Sequence, residues 1–233
     1  MTTQLVQADG SGEMFDRIAR RYDLLNRLMS FGLDRSWRRQ LIESMPNEGR
    51  LLDVATGTAD VALALARTHP QSQVTGLDPS TGMLAVGQDK ITARGLQERV
   101  ELIPGDAQSM PFPDNHFAGA TIAFGIRNVP DRLQGLREMA RVTETGGPVA
   151  ILELSEPEGG LMAHLARIHV HHFVPLMGRI LSGQKEYRYL QSSIAAFPPA
   201  DQFAEVMAEA GLKDVTVSRM TFGTAHLYIG MAP

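Results

Sequence analysis

Asp53-Val-Ala-Thr-Gly-Thr-Ala-Asp60 closes a short apolar run, Arg50 to Ala55 (RLLDVA), and opens a strong helix former, Ala59 to Arg67. A strand that turns through a glycine straight into a helix is the start of a strand–helix–strand unit. Gly57 lets the backbone turn tightly and approach a ligand, which a bulky side chain would prevent. Taken alone, the same feature is equally a plain tight turn.

Outward from this turn the alternation continues. Gln73 to Leu77 reads as the next strand, ending at Asp78, and Pro79-Ser80 opens a helix that runs to about Ala93. Val100 to Ile103, Gly119 to Ala123 and Val149 to Leu154 read as further strands, with a helix from Arg132 to Val142 between the last two. Such alternation predicts a largely parallel sheet with helices on both faces. Asp201 to Ala210 forms a helix that Gly211 ends as a C-cap. Val215 to Arg219 and Ala225 to Gly230 form a closing antiparallel pair, joined through a turn that includes Gly223. Upstream, Phe15, Ile18, Tyr22, Leu25 and Leu28 recur at helical spacing. Gly32 breaks that stretch, and Asp34 is expected to cap a second helix from Arg35 to Met45. The expected architecture is one α/β domain of seven strands, mostly parallel with an antiparallel closing strand. It divides into an N-terminal helical region (1–46), a cofactor-binding core (47–155), a helical cap (156–198) and a closing helix with its strand pair (199–233).

Three polar features fall at the carboxyl ends of successive strands, where open α/β sheets bind ligands. The first is the Gly57 turn. The second is Asp78, 25 residues beyond Asp53, where a carboxylate can accept from both ribose hydroxyls or, alternatively, cap the following helix. The third is Gly105-Asp106-Ala107, where a carboxylate can accept from an adenine amine or simply mark a surface turn. The turn lacks the lysine and hydroxyl of a phosphate-binding loop. Ala55, Gly57 and Ala59 fill the small-residue positions without making the G-x-G-x-x-G of a dinucleotide site. An adenosine cofactor without phosphates fits better, and S-adenosylmethionine is one.

The 233 residues are 43% hydrophobic and 21% charged, enough for a sizeable core. With no cysteine there are no disulfides, thiolate metal sites or cysteine nucleophiles, which suits a reducing cytoplasm. A formal net charge of −4 gives no reason to expect a nucleic-acid partner. Met1 to Gly12 is polar and has no signal-like apolar segment. Leu161 to Leu181 comes closest to a membrane span, but Arg167, His164, His169, His171, His172, Pro175 and Arg179 interrupt it. It is expected as a helical cap, in a position to lie against a membrane surface. His169, His171 and His172 do not share a helix face, so no metal is expected.

Longer matches carry a family resemblance over nearly the whole chain. Phe15 to Trp37 (FDRIARRYDLLNRLMSFGLDRSW), Asp53 to Asp60, Gly105 to Val129 (containing GDAQSMPFPDNHF and IAFGIRNV) and Tyr187 to Pro198 (YRYLQSSIAAFP) resemble the quinone-biosynthesis C-methyltransferases. That family methylates demethylmenaquinol and its ubiquinone-pathway relatives. The resemblance implies a Rossmann-like class I methyltransferase sheet and S-adenosylmethionine as cofactor. It implies contacts from Thr58, Asp78, Asp106 and Ala107, with Asp53 and Gly57 in the same loop. Its implied substrate is a lipid-tailed quinone precursor; peripheral membrane contact and a homodimer both stay open. The chain departs from the family at Asp34 and Tyr228, where the family has histidines, and at Ala123, where some members have a serine that touches the cofactor. His226 stands two residues before Tyr228, on the same side of a strand.

Methylating a hydroquinone carbon implies favouring a phenolate and aligning the ring with the sulfonium methyl group. Arg127 is the first candidate for holding the phenolate, with Asn128 orienting the same oxygen and Tyr22 donating from the N-terminal region. The alternative for Arg127 is a structural ion pair at the end of the fourth strand. The competing functions are methylation of another small phenol, a cofactor-binding module without chemistry, and a nicotinamide oxidoreductase, for which the glycine fingerprint is missing.

Overall fold

A computed structural model describes residues 27, 30, 32–155 and 184–233. Tyr22, the histidines between His164 and His172, and residues 156–183 of the expected cap (156–198) lie outside the described residues. Seven strands form one sheet: β1 (Glu48–Val54), β2 (Gln71–Asp78), β3 (Val100–Pro104), β4 (Gly119–Ala123), β5 (Pro148–Leu154), β6 (Lys213–Met220) and β7 (Ala225–Met231). Their spatial order is β3-β2-β1-β4-β5-β7-β6. All neighbours pair in parallel except β7, which lies antiparallel between β5 and β6. Among the described residues the named helices are α1 (Asp34–Glu43), α2 (Asp60–Thr68), α3 (Thr81–Thr92), α4 (Arg132–Val142), α5 (Gln184–Ala195) and α6 (Ala200–Glu209). None of them is long and apolar enough to cross a membrane.

The order reverses at β1. Connections from β1 run outward to β2 and β3 on one side and to β4 and β5 on the other, so their helices cover opposite faces. Trp37 and Leu41 of α1, Val61 and Leu65 of α2 and Ile91 of α3 pack on one face, against Leu51, Val74 and Leu152. Leu136 and Met139 of α4 and Phe203 and Met207 of α6 pack on the other, against Leu52, Ile122, Ile151 and Tyr228. Tyr228 is a fully buried core residue, its ring edge-on to Phe203 at 4.9 Å. The reversal leaves the loops after β1 and β4 diverging over a crevice at the carboxyl edge of the sheet.

Caps refine the expected boundaries. Ser80, not Asp78, caps α3, accepting from the Met83 N–H at 3.1 Å. Asp34 is not a cap, which corrects the expectation. It is the first helical residue of α1, after a Leu33 already in the helical region, and its carboxylate accepts from Ser30 Oγ at 2.9 Å and lies 3.8 Å from Arg38 Nε. Gly211 ends α6 with φ +99° as expected. The Trp37 indole N–H donates to Thr221 Oγ1 at 2.9 Å, tying α1 to the β6–β7 turn.

Candidate active site

The β1–α2 turn rises from Asp53. Its carboxylate is buried and accepts from Thr56 Oγ1 at 2.6 Å, the Ala62 N–H at 3.1 Å and Thr121 Oγ1 at 3.0 Å. One side chain thus holds the turn, the first turn of α2 and β4 together. Burial pushes its pKa up to about 6, against the lowering effect of those hydrogen bonds and of Arg38. Asp53 therefore supports the loop from beneath.

Above it, Ala55, Gly57 and Ala59 all adopt positive φ (50°, 56° and 64°). A left-handed conformation costs an L-residue roughly 1–2 kcal/mol, while glycine adopts it freely. The alternating twist turns successive peptide groups of the loop, and two of the three twists are made by alanines under strain. Ala55→Gly should therefore raise unfolding stability by about 0.5–1 kcal/mol, the strain relieved less the greater freedom of an unfolded glycine. Urea denaturation measures this, and a lower midpoint would mean that the Ala55 methyl group is worth more than the strain. Ala55 does have a neighbour to hold: a Cβ on Gly125 would come within 2.7 Å of the Ala55 Cβ. Gly125 is what lets the exit of β4 close against the loop.

Asp78 reaches this loop directly. Its Oδ2 accepts from the Gly57 N–H at 2.8 Å and its Oδ1 from the Ser80 N–H at 2.9 Å. The Gly105 N–H donates to the Asp78 carbonyl at 3.2 Å, which sets the loop after β3 beside the end of β2. In that loop Asp106 is exposed, and its carboxylate accepts from the Gln108 N–H at 2.9 Å and from the Gln108 amide. Gln108 and Gln134 in turn bind this loop to the start of α4. Thr58 is buried, its hydroxyl accepting from Lys90 Nζ at 2.9 Å. Lys90 and Arg38 both pair with Asp60, at 2.8 and 3.4 Å, joining α3 and α1 to α2 behind the turn. The structure thus brings Gly57, Thr58, Asp78, Asp106 and Ala107 to one edge of the crevice. Two carboxylates there suit hydroxyl and amine donors and would repel phosphates, so the donor set fits an adenosine without phosphate.

The exit of β4 forms the opposite wall. Phe124 is buried with φ +58°, a strained conformation for a bulky side chain. Its N–H donates to the Leu152 carbonyl at 2.7 Å, and its own carbonyl accepts from the Arg127 guanidinium at 2.7 Å. Ile126–Asn128 then forms a 3-10 turn. Arg127 also donates to Glu153 Oε1 at 2.5 Å, and the Glu153 carboxylate accepts further from the Arg127 and Leu154 N–H groups. The two side chains are 7% and 0% exposed. This is the buried ion pair that the sequence left as the alternative for Arg127. Asn128 accepts at Oδ1 from the Tyr189 hydroxyl of α5 at 3.2 Å. Across β7 from Glu153 stands His226, whose Nδ1 lies 2.7 Å from Ser155 Oγ. The Ser155 hydroxyl donates its one proton to the Gly223 carbonyl at 2.8 Å, so His226 Nδ1 carries the hydrogen between them.

Sequence reasoning missed Glu153, Phe124, Tyr189 and Arg132. Glu153 had a signal, a lone charge in the apolar strand PVAILEL. Tyr189 lay inside a stretch quoted for its resemblance. Nothing in the sequence marks the left-handed Phe124.

Residues 3–232 match the model of the ubiE/COQ5 methyltransferase family. A ubiquinone/menaquinone biosynthesis C-methyltransferase of Geotalea daltonii is 46% identical over 222 residues, 94% of each chain. A demethylmenaquinone methyltransferase of Thermus thermophilus is 41% identical over 94% of this chain and 100% of its own. Among solved structures, an S-adenosylmethionine-dependent methyltransferase of Aquifex aeolicus superposes with a TM-score of 0.64 at 17% identity, covering 94% of this chain and 98% of its own, a likeness of fold.

Proposed function

Because this chain belongs to the ubiE/COQ5 methyltransferase family, we propose that it methylates a ring carbon of demethylmenaquinol, the last methylation in making menaquinone. Its cofactor is S-adenosylmethionine and its reaction is C-methylation in quinone biosynthesis. The observation that carries the reading is the facing of two walls across the crevice: the glycine turn with the Asp78 and Asp106 carboxylates at the ends of β1 to β3, and the Arg127–Asn128 turn at the end of β4.

S-adenosylmethionine supplies an electrophilic methyl group when bound. Asp78 would take the ribose hydroxyls and Asp106 the adenine amine, while Gly57, Thr58 and Ala107 would line the cradle and Asp53 would brace it. Asp78→Ala should weaken S-adenosylmethionine binding by about 1.5–3 kcal/mol, the range for hydrogen bonds to a charged group. Calorimetry is the measure, and unchanged affinity would remove Asp78 from the ribose.

On the acceptor side the chain must favour loss of a ring hydroxyl proton to solvent and hold the ring against the cradle. The methyl group that the bound cofactor would supply would then pass to the ring carbon, which these residues would hold in line with it. The hydrogen on that carbon returns through solvent to the oxygen, so one proton is released overall. Arg127 shapes the turn through Phe124 and Glu153, and Asn128 faces the ring oxygen, with Tyr22 a further donor. A lipid-tailed acceptor has to be met at a membrane, and we place the protein as a peripheral visitor to the inner face. The exposed Phe222 at the β6–β7 turn and Leu33 at the start of α1 support that placement. The deciding experiment is methyl transfer from labelled S-adenosylmethionine to demethylmenaquinol, alongside quinones extracted from a deletion strain. Accumulated demethylmenaquinone is expected; unaltered quinones would overturn the reading.

A further inference from the structure

The cations around the crevice are not equivalent. Arg127 is matched by Glu153, and Arg38 and Lys90 by Asp60. Arg132, at the start of α4, pairs with no carboxylate among the described residues. Its NH2 group donates to the Arg127 carbonyl at 3.2 Å, its guanidinium lies 5.4 Å from the centre of the Phe197 ring, and its buried Nε has no hydrogen-bond partner. A part-buried cation with no counter-ion is disfavoured, because burial removes water that the protein does not replace. Burial accordingly lowers the Arg132 pKa, and the charge of Glu153 opposes that effect. Tyr189 is the neighbouring polar group. Burial raises its pKa against the pull of Arg127 and Arg132, so its hydroxyl keeps its proton and remains a donor. Tyr189 holds Asn128 Oδ1, which leaves the Asn128 amide N–H groups on the side away from Tyr189.

We propose that Arg132, with the Tyr189–Asn128 pair beside it, is the cation that holds the ionised ring oxygen of the methyl acceptor. This rests on the hydroquinone reading above. It separates two jobs that the neighbouring arginines share in sequence: Arg127 builds the turn, and Arg132 supplies the uncompensated charge. Loss of the hydroxyl proton to solvent leaves an anion, and the anion completes an ion pair that the described residues leave open.

Two measurements test the assignment. The first is direct binding of 2-hydroxy-1,4-naphthoquinone, an anion at neutral pH, against neutral 1,4-naphthoquinone, each in the presence of S-adenosylhomocysteine. The wild-type chain should prefer the anion by at least about tenfold, the low end for charge-assisted hydrogen bonds. Arg132→Gln should lose that preference, Arg132→Lys should keep part of it, and cofactor affinity should stay within about twofold because the adenosine groups lie on other loops. The second is the pH dependence of kcat with demethylmenaquinol. Arg132→Gln should lower kcat about a hundredfold at neutral pH, the scale of losing one donor to developing charge. It should also move the acidic limb to higher pH, since the ring hydroxyl then ionises less readily. Tyr189→Phe should move the limb the same way by less. If Arg132→Gln fails to fold, Arg132→Lys and Tyr189→Phe carry the same comparison. An active wild type whose variants keep both the anion preference and the acidic limb overturns the Arg132 assignment alone. A wild-type chain inert toward demethylmenaquinol overturns the substrate reading, and the identity of the oxygen with it.

Discussion

Arg127→Ala is expected to lower stability by about 3–5 kcal/mol, because it strands the Glu153 carboxylate in the core without its partner. For a chain of this length that is a fall in melting temperature of roughly 6–20 °C. The loss has two parts. One is the uncompensated charge of Glu153, whose side chain is wholly buried. The other is the strained Phe124 turn, whose carbonyl loses the guanidinium that holds it. Arg127→Ala combined with Glu153→Gln should therefore regain a large share of the stability, since the buried charge is gone while the one amide oxygen still accepts from one of the two N–H groups, at position 127 or Leu154, that bond the carboxylate. Melting temperature and kcat on the same preparations separate structure from chemistry. A variant that melts with the wild type but loses kcat would return Arg127 to direct contact with the reacting oxygen.

Asp53→Asn should change how stability depends on pH. The Asp53 pKa is raised in the folded chain, from 3.8 to about 6, with burial as the main cause. A raised pKa means that the folded state favours the protonated form. Its contribution is fully present below pH 3.8 and is lost as pH rises through 6. The shift corresponds to about 3 kcal/mol once both states are ionised. The asparagine variant has no proton to lose. Its stability relative to wild type should therefore rise by about 2–3 kcal/mol between pH 4 and pH 7.5, while all other titrating groups cancel in the difference. Urea unfolding at several pH values reads this directly. Parallel curves for the two proteins would show that Asp53 does not carry the charge cost. At neutral pH the wild-type carboxylate is thus a strained anchor, kept ionised in the core by Thr56, Thr121 and the Ala62 N–H because it fixes the β1–α2 loop to both α2 and β4.

What the sequence determined by itself was everything that local periodicity and turn chemistry encode. Gly119–Ala123 and Arg132–Val142 are found at the expected residues, and the other core elements lie within a few residues of theirs. The apolar alternation and the helix signals need no distant partner to be read. Clustering of the Gly57 turn, Asp78 and Asp106 followed from one general property, that parallel strands bring their carboxyl ends to one edge. The tertiary structure decided which charges neutralise each other. Arg127 and Arg132 are five residues apart in one basic stretch, and only the packing of β5 against β4 gives the first a buried Glu153 and leaves the second without a carboxylate among the described residues. It also moved Asp34 inside its helix and Tyr228 into the core, and it imposed positive φ on Phe124, a residue type that carries no local preference for it. Electrostatic pairing depends on distances across the sheet that no local pattern fixes, and burial sets the strength of each pair. The sheet could therefore be read from the chain, while the division of labour among its arginines depended on the fold.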